Sequence, residues 1–202
     1  MGDRDMVAQP PRADALPTGP ISALRAEVQS EAIKAFVFAW ETLLERAAGE
    51  LPARKELHPR IIMPFMSSCW LYSRDMDGEF FCVLTGETVR NFWRAPTRGR
   101  YLRDIIPDGG HVAVQDRLSL AIDRPCMIHC INRCAGKQHV FAERIYAPLA
   151  RDPDGADYVF GCSNYHVKRD QQAQAVEQKA DTMQLFDCYS LRFIEKRVCA
   201  IP

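Results

Sequence analysis

The feature that most restricts this chain is a set of three apolar runs in its second half, each separated from the next by a short turn. They read CMIHCINRC, HVFAERIYAPLA and DYVFGCSNYH, joined across Ala135-Gly136-Lys137-Gln138 and Asp152-Pro153-Asp154-Gly155. Runs of this kind between glycine-containing turns predict strands, and so short a connection joins antiparallel neighbours. A three-stranded antiparallel meander is therefore expected. An earlier pair of runs, SSCWLYSR and EFFCVLT, flanks Asp75-Met76-Asp77-Gly78. Its Asp-Gly step supplies the positive φ that a hairpin turn needs.

Helical patterns fill the remaining spans. Leu24, Val28, Ile33, Phe36, Val37, Trp40, Leu43 and Leu44 recur mainly three and four residues apart. With Ser22 as N-cap and Gly49 and Pro52 as stops, they predict one long helix. After Gly86 the stretch TVRNFWRAPTRGRYLRDII is mixed helical, broken by Pro96 and Gly99. HVAVQDRLSLAID then predicts a clearer helix, with Val114, Leu118, Ala121 and Ile122 on one face and Pro125 forbidding extension. Residues 1–20 carry prolines at 10, 11, 17 and 20 and read as a disordered tail. The stretches KRDQQAQAVEQKADTM and LFDCYSLRFIEKRV, near the end of the chain, read as helical. The expected organisation is a tail (1–20), an N-terminal flanking helix (21–49), an α+β domain (50–167) and a C-terminal helical extension (168–202).

Several residues then point to a known family. Leu51-Pro52 and Pro59 precede the first strand, Gly86 follows the second, and Gly99-Arg100 precedes the next short helix. In that order and spacing they resemble a bacterial family of single-domain PAS proteins, over roughly residues 50–166. The resemblance implies a PAS fold: a five-stranded antiparallel sheet with the helical crossover and the 111–123 helix on one face. It also implies a sensory or protein-interaction module that signals in trans. Where the family pattern leads one to expect a second crossover glycine, this chain has Phe92-Trp93-Arg94, side chains large enough to fill ligand space. A pocket between sheet and helices would be lined by Phe92, Trp93, Tyr101, Leu118, Met127 and Phe141.

Composition narrows the function classes. Lys plus Arg equals Asp plus Glu at 26 each, so the chain lacks the basic excess that phosphate neutralisation demands. Neither nucleic acid nor an anionic membrane is an expected partner. The first residues lack a signal-peptide apolar core, and no run approaches the ~18 apolar residues of a membrane span. The expected location is the cytoplasm, where the eight cysteines stay as buried, reduced thiols.

Cys126, Cys130 and Cys134 stand four apart around His129. On a strand, positions four apart lie about 13 Å from each other, too far to share one metal ion; no metal is expected. Asn132-Arg133-Cys134 has the wrong order for the reactive motif of flavin-binding photosensors. His111 is the one histidine placed on the central helix, where haem-binding relatives carry a ligand. A flavin or haem redox protein stays as the alternative reading, with the cofactor unknown. No nucleophile elbow, phosphate loop or zinc-protease motif occurs, and the acidic residues read as solvated, so no enzyme activity is expected. The expected partners are a signalling protein, a small-molecule ligand and a second copy of the chain. The aromatic stripe of the N-terminal helix must pack on its own sheet or on another subunit. Flanking helices of PAS domains commonly dimerise, which makes Phe36, Trp40 and Leu44 the expected interface.

Overall fold

The computed structural model describes residues 21–106, 109–134, 137–167 and 181–199. Its centre is one antiparallel sheet of seven strands: β1 (Cys69–Arg74), β2 (Phe80–Thr85), β3 (Cys126–Cys134), β4 (Lys137–Pro148), β5 (Asp157–Val167), β6 (Asp181–Asp187) and β7 (Phe193–Cys199). They lie side by side as β2-β1-β5-β4-β3-β6-β7. All five expected strands form, and Gly78 and Gly155 adopt φ of 83° and 86° at the turns expected over 75–78 and 152–155; the turn expected over 135–138 has residues 135–136 outside the described set.

The C-terminal expectation is corrected. Asp181–Asp187 and Phe193–Cys199 pair as a hairpin, and β6 lies against β3 with His129 opposite Gln184. LFDCYSLRFIEKRV thus contributes to two strands, and the sheet has seven strands where five were expected. In this hairpin Met183 and Leu185 face one side of the sheet while Phe186 faces the other. That is the period of two, which a short amphipathic run does not distinguish from a turn of helix until a neighbour strand is present. Residues 1–20 and 168–180 lie outside the described set.

Helices cover both faces. On one side lie α4 (Glu87–Trp93), α5 (Leu102–Ile105) and α6 (Gly110–Asp123), in the crossover between β2 and β3. Leu118 and Ala121 of α6 pack there on Cys126, Ile128, Tyr146 and Val159. The opposite side is covered by α2 (Glu31–Arg46), preceded by α1 (Ile21–Glu27) and followed by the short α3 (Pro59–Ile62) and a 3-10 segment (Met63–Ser68). The N-terminal stretch is therefore two helices, where the sequence suggested one. The break at 28–30 has a physical cause. The amides of Gln29 and Ser30 both donate to the Glu143 carboxylate, each at 2.8 Å, and Ser30 starts the second helix as its N-cap.

The dimer-interface expectation for Phe36, Trp40 and Leu44 is also corrected. All three are buried within the single chain, Phe36 and Trp40 at 1% exposure. Phe36 meets Phe65 at 5.4 Å and Phe160 of β5 at 5.2 Å, and stacks with Trp40. The stripe belongs to this chain's own core, and Phe38 is the exposed large apolar side chain of α2.

Two motif glycines have steric reasons. A Cβ on Gly86 would stand 2.2 Å from the Met66 carbonyl oxygen, where the 3-10 segment crosses the end of β2. Gly99, at φ 74°, sits in a segment that hydrogen-bonds along β2 through Cys82.

Since Trp40 sits in the core, Trp40→Ala should cost about 3–5 kcal/mol, read as a lower urea midpoint, with the oligomeric state by light scattering unchanged. If the variant kept its midpoint and changed only its oligomeric state, the stripe would be an interface after all.

Candidate functional site

The residues with chemical capacity are concentrated on β3, β4 and β5, at the middle of the sheet. Strand β4 is flanked by β3 and β5 and covered on both faces, so its charged side chains must find partners inside the protein. Glu143 and Arg144 are adjacent in sequence and therefore point to opposite faces.

Glu143 is on the α2 face at 1% exposure. In register it lies diagonally across from His129 of β3, which itself stands opposite Gln184 of β6. His129 Nε2 is 2.9 Å from Glu143 Oε1, and its Nδ1 is 3.1 Å from Gln184 Oε1. The carboxylate thus meets three N–H groups: the imidazole and the two amides ahead of α2. Burial pushes this carboxyl up, but the hydrogen bonds from His129, Gln29 and Ser30 outweigh it and hold it below its usual 4.5. Its place ahead of a helix N-terminus adds favourable dipole interaction. The expectation that acidic residues are solvated fails at this position.

Arg144 is buried on the α6 face, where its Nη1 donates to Asn132 Oδ1 at 2.7 Å and its guanidinium lies 5.6 Å from the centre of the Tyr165 ring. Tyr165 stacks on Phe92 at 3.7 Å with an interplanar angle of 8°, and Phe92 meets Trp93 edge-on. Trp70 donates from Nε1 to Ser163 Oγ at 2.8 Å and packs on Tyr146 at 5.0 Å. Its ring also crosses Gly161, where a Cβ would be 2.3 Å from it. Burial pushes the Tyr146 hydroxyl up to about 12, so it is a neutral phenol at ordinary pH.

These side chains fill the space between sheet and helices. A void among them, bordered by Trp70, Trp93, Arg144 and Tyr146, measures about 30 Å³. A drug-sized ligand needs roughly 300–1,000 Å³. A porphyrin or isoalloxazine does not fit these residues as they stand.

The six expected pocket residues are not brought together. Phe92 and Trp93 border the filled interior, and Leu118 lies in the same layer as core. Tyr101 is at the outer edge, bridged to Phe81 of β2 with the Arg103 guanidinium 4.6 Å from its ring centre. Met127 is on the α2 face, fully buried in that core. Phe141 shares the parity of Glu143 and Ile145 on β4, and so also belongs to the α2 side. Strand alternation, applied to each residue in turn, would have separated the last two from the rest.

Six of the eight cysteines have described side chains, and these have the character of small hydrophobes. Cys69, Cys82, Cys126, Cys130, Cys162 and Cys188 are buried. Burial pushes Cys69, Cys82 and Cys126 up to about 11 and Cys188 to about 12. A thiol so shifted supplies little thiolate for nucleophilic or redox chemistry. Cys126 and Cys130 lie on β3, as expected, with the separation a strand imposes.

A half-open cleft of about 620 Å³ lies on the α2 side, at the β2 edge of the sheet. Its lining was not foreseen from the sequence, because it is drawn from residues 54–98 and 160. No helix among the described residues is long and apolar enough to cross a membrane. Comparison with protein-family models, with curated proteins and with solved structures found no match to this chain.

The Glu143 cluster makes stability depend on pH in a defined direction. A carboxyl held below 4.5 in the folded state contributes fully above the unfolded value, and the contribution is lost as pH falls through the folded value. Glu143→Gln should lower stability at pH 7 by about 3 kcal/mol, and the gap to wild type should shrink in acid below about pH 4.5. Urea midpoints of both proteins across that range measure this. A gap independent of pH would show that the carboxylate charge is not what the cluster uses.

Proposed function

We propose that this chain is a PAS-type sensory and interaction module, acting in the cytoplasm through contact with a signalling partner and not through a catalytic centre. The observation that carries this reading is an antiparallel sheet with the crossover helices on one face. The first five strands lie β2-β1-β5-β4-β3, with α4, α5 and α6 in the connection from β2 to β3. A sheet covered in this way supports the fold that the resemblance implies. The β6–β7 hairpin is an addition at the β3 edge, and α2 a cover on the opposite face.

The interior supports a contact-based module over a cofactor-based one. Phe92, Trp93 and Tyr165 occupy the region between sheet and crossover, and Arg144 and Trp70 are held there by hydrogen bonds. A signal in such a domain is read through movement of packed elements or through an outer surface, since opening the interior would expose several aromatic rings together.

Native mass spectrometry and absorption spectroscopy of the freshly purified full chain test the proposal. The expected result is absorption that ends with the aromatic band, and a mass equal to the sequence alone or with one colourless small molecule. A stoichiometric Soret or flavin band would replace this reading with that of a cofactor-based redox protein.

A further inference from the structure

The half-open cleft of about 620 Å³ lies where α2 stops short of the β2 edge. Its volume falls within the range of roughly 300–1,000 Å³ typical of small-molecule sites. Leu71 of β1, Val83 of β2 and Phe160 of β5 supply an apolar floor from three adjacent strands, and Leu57 and Ile62 close it from the side.

The polar lining has one sign. Arg54, Arg90 and Arg98 border the cleft, and no aspartate or glutamate is among its lining residues. This local excess occurs in a chain whose acidic and basic residues balance at 26 each. Arg54 is already engaged, donating to the Tyr158 hydroxyl at 2.9 Å and standing 3.8 Å from Asp152. The other two are different. Arg90 on α4 and Arg98 just after the crossover turn are exposed, and neither side chain forms an ion pair or hydrogen bond among the described residues. Beside Arg98, the Thr97 and Thr85 hydroxyls hydrogen-bond to each other, which pins the 97–98 backbone to β2. A guanidinium fork so placed matches a carboxylate bidentately, while the floor accepts an apolar body.

We propose that this cleft binds a small organic anion: a carboxylate carried on an apolar body, with the charge held by Arg90 and Arg98 and the body laid over Leu71, Val83 and Phe160. The assignment goes beyond the signalling reading and stands on the cleft alone. A site of this chemistry needs both halves of the ligand. Charge without an apolar body is left to exposed arginines that water competes for, and an apolar body without charge leaves both cations unmatched.

Isothermal titration of the full chain with decanoate, 1-decanol and acetate tests the two halves separately. Decanoate should bind with one-to-one stoichiometry, decanol about tenfold or more weaker, and acetate without measurable heat. In the double variant R90Q/R98Q, decanoate affinity should fall about tenfold or more towards that of decanol, with the thermal midpoint unchanged because both side chains are exposed. The variant R124Q, whose arginine pairs with Glu195 away from the cleft, should bind decanoate as wild type does. Equal affinity for decanoate and decanol, a double variant that binds decanoate undiminished, or no decanoate binding would each overturn the proposal. None of these results would alter the cofactor test of the signalling reading, so the two can fail independently.

Discussion

Two adjacent charged residues on the strand in the middle of this protein hold its layers in register. Glu143 and Arg144 stand on β4, which is hydrogen-bonded along both edges and covered on both faces. Neither group can be solvated there, so each must be matched by the protein. Glu143 reaches the amides ahead of α2 and the imidazole of β3, and through that imidazole the Gln184 amide of β6. Arg144 reaches Asn132 of β3 and the Tyr165 ring of β5, which in turn carries Phe92 of α4. Slipping β4 by one residue would send each charge to the wrong face. The pair therefore sets strand register and helix placement together, and the break between α1 and α2 follows from it.

The same arrangement determines where the molecule has room. On the α6 side, the Trp70 ring crosses Gly161 and Phe92 stacks on Tyr165, with a void of about 30 Å³ beside them. On the α2 side the helix packs on β5 and β4, with Phe36 against Phe160, and no α2 residue lines the β2 edge. The uncovered strip becomes the cleft of about 620 Å³. The space between sheet and crossover is thus largely filled by side chains, and the flank at the β2 edge is open.

Much of this was legible along the chain. Five strands, the turns at Gly78 and Gly155 and the 111–123 helix follow from turn residues and from period-two and period-3.6 patterning, because local sterics and a buried face dictate those patterns wherever the segment packs. Gly86 and Gly99 stand out through the resemblance, and the structure supplies a physical reason for each: a carbonyl 2.2 Å from any added Cβ in one case, a positive φ in the other. The site was less legible. Phe92 and Trp93 border the α6-side core while Met127 and Phe141 lie across the sheet from them, and nothing in the apolar context of FAERIYA marks its charged pair as buried.

By itself, the sequence determined the α+β class, the meander, and the need of the 22–44 stripe for an apolar partner. Only the tertiary structure decided what that partner is: the stripe packs on this chain's own sheet, where Phe65 and Phe160 surround Phe36. It likewise turned 181–199 into two more strands, since a strand pattern gains meaning only from the edge it pairs with, and β3 offered one. Where Arg90 and Arg98 stand relative to Phe160 is of the same kind. Their separation along the chain says nothing of their distance in space, which depends on how the crossover closes on the sheet.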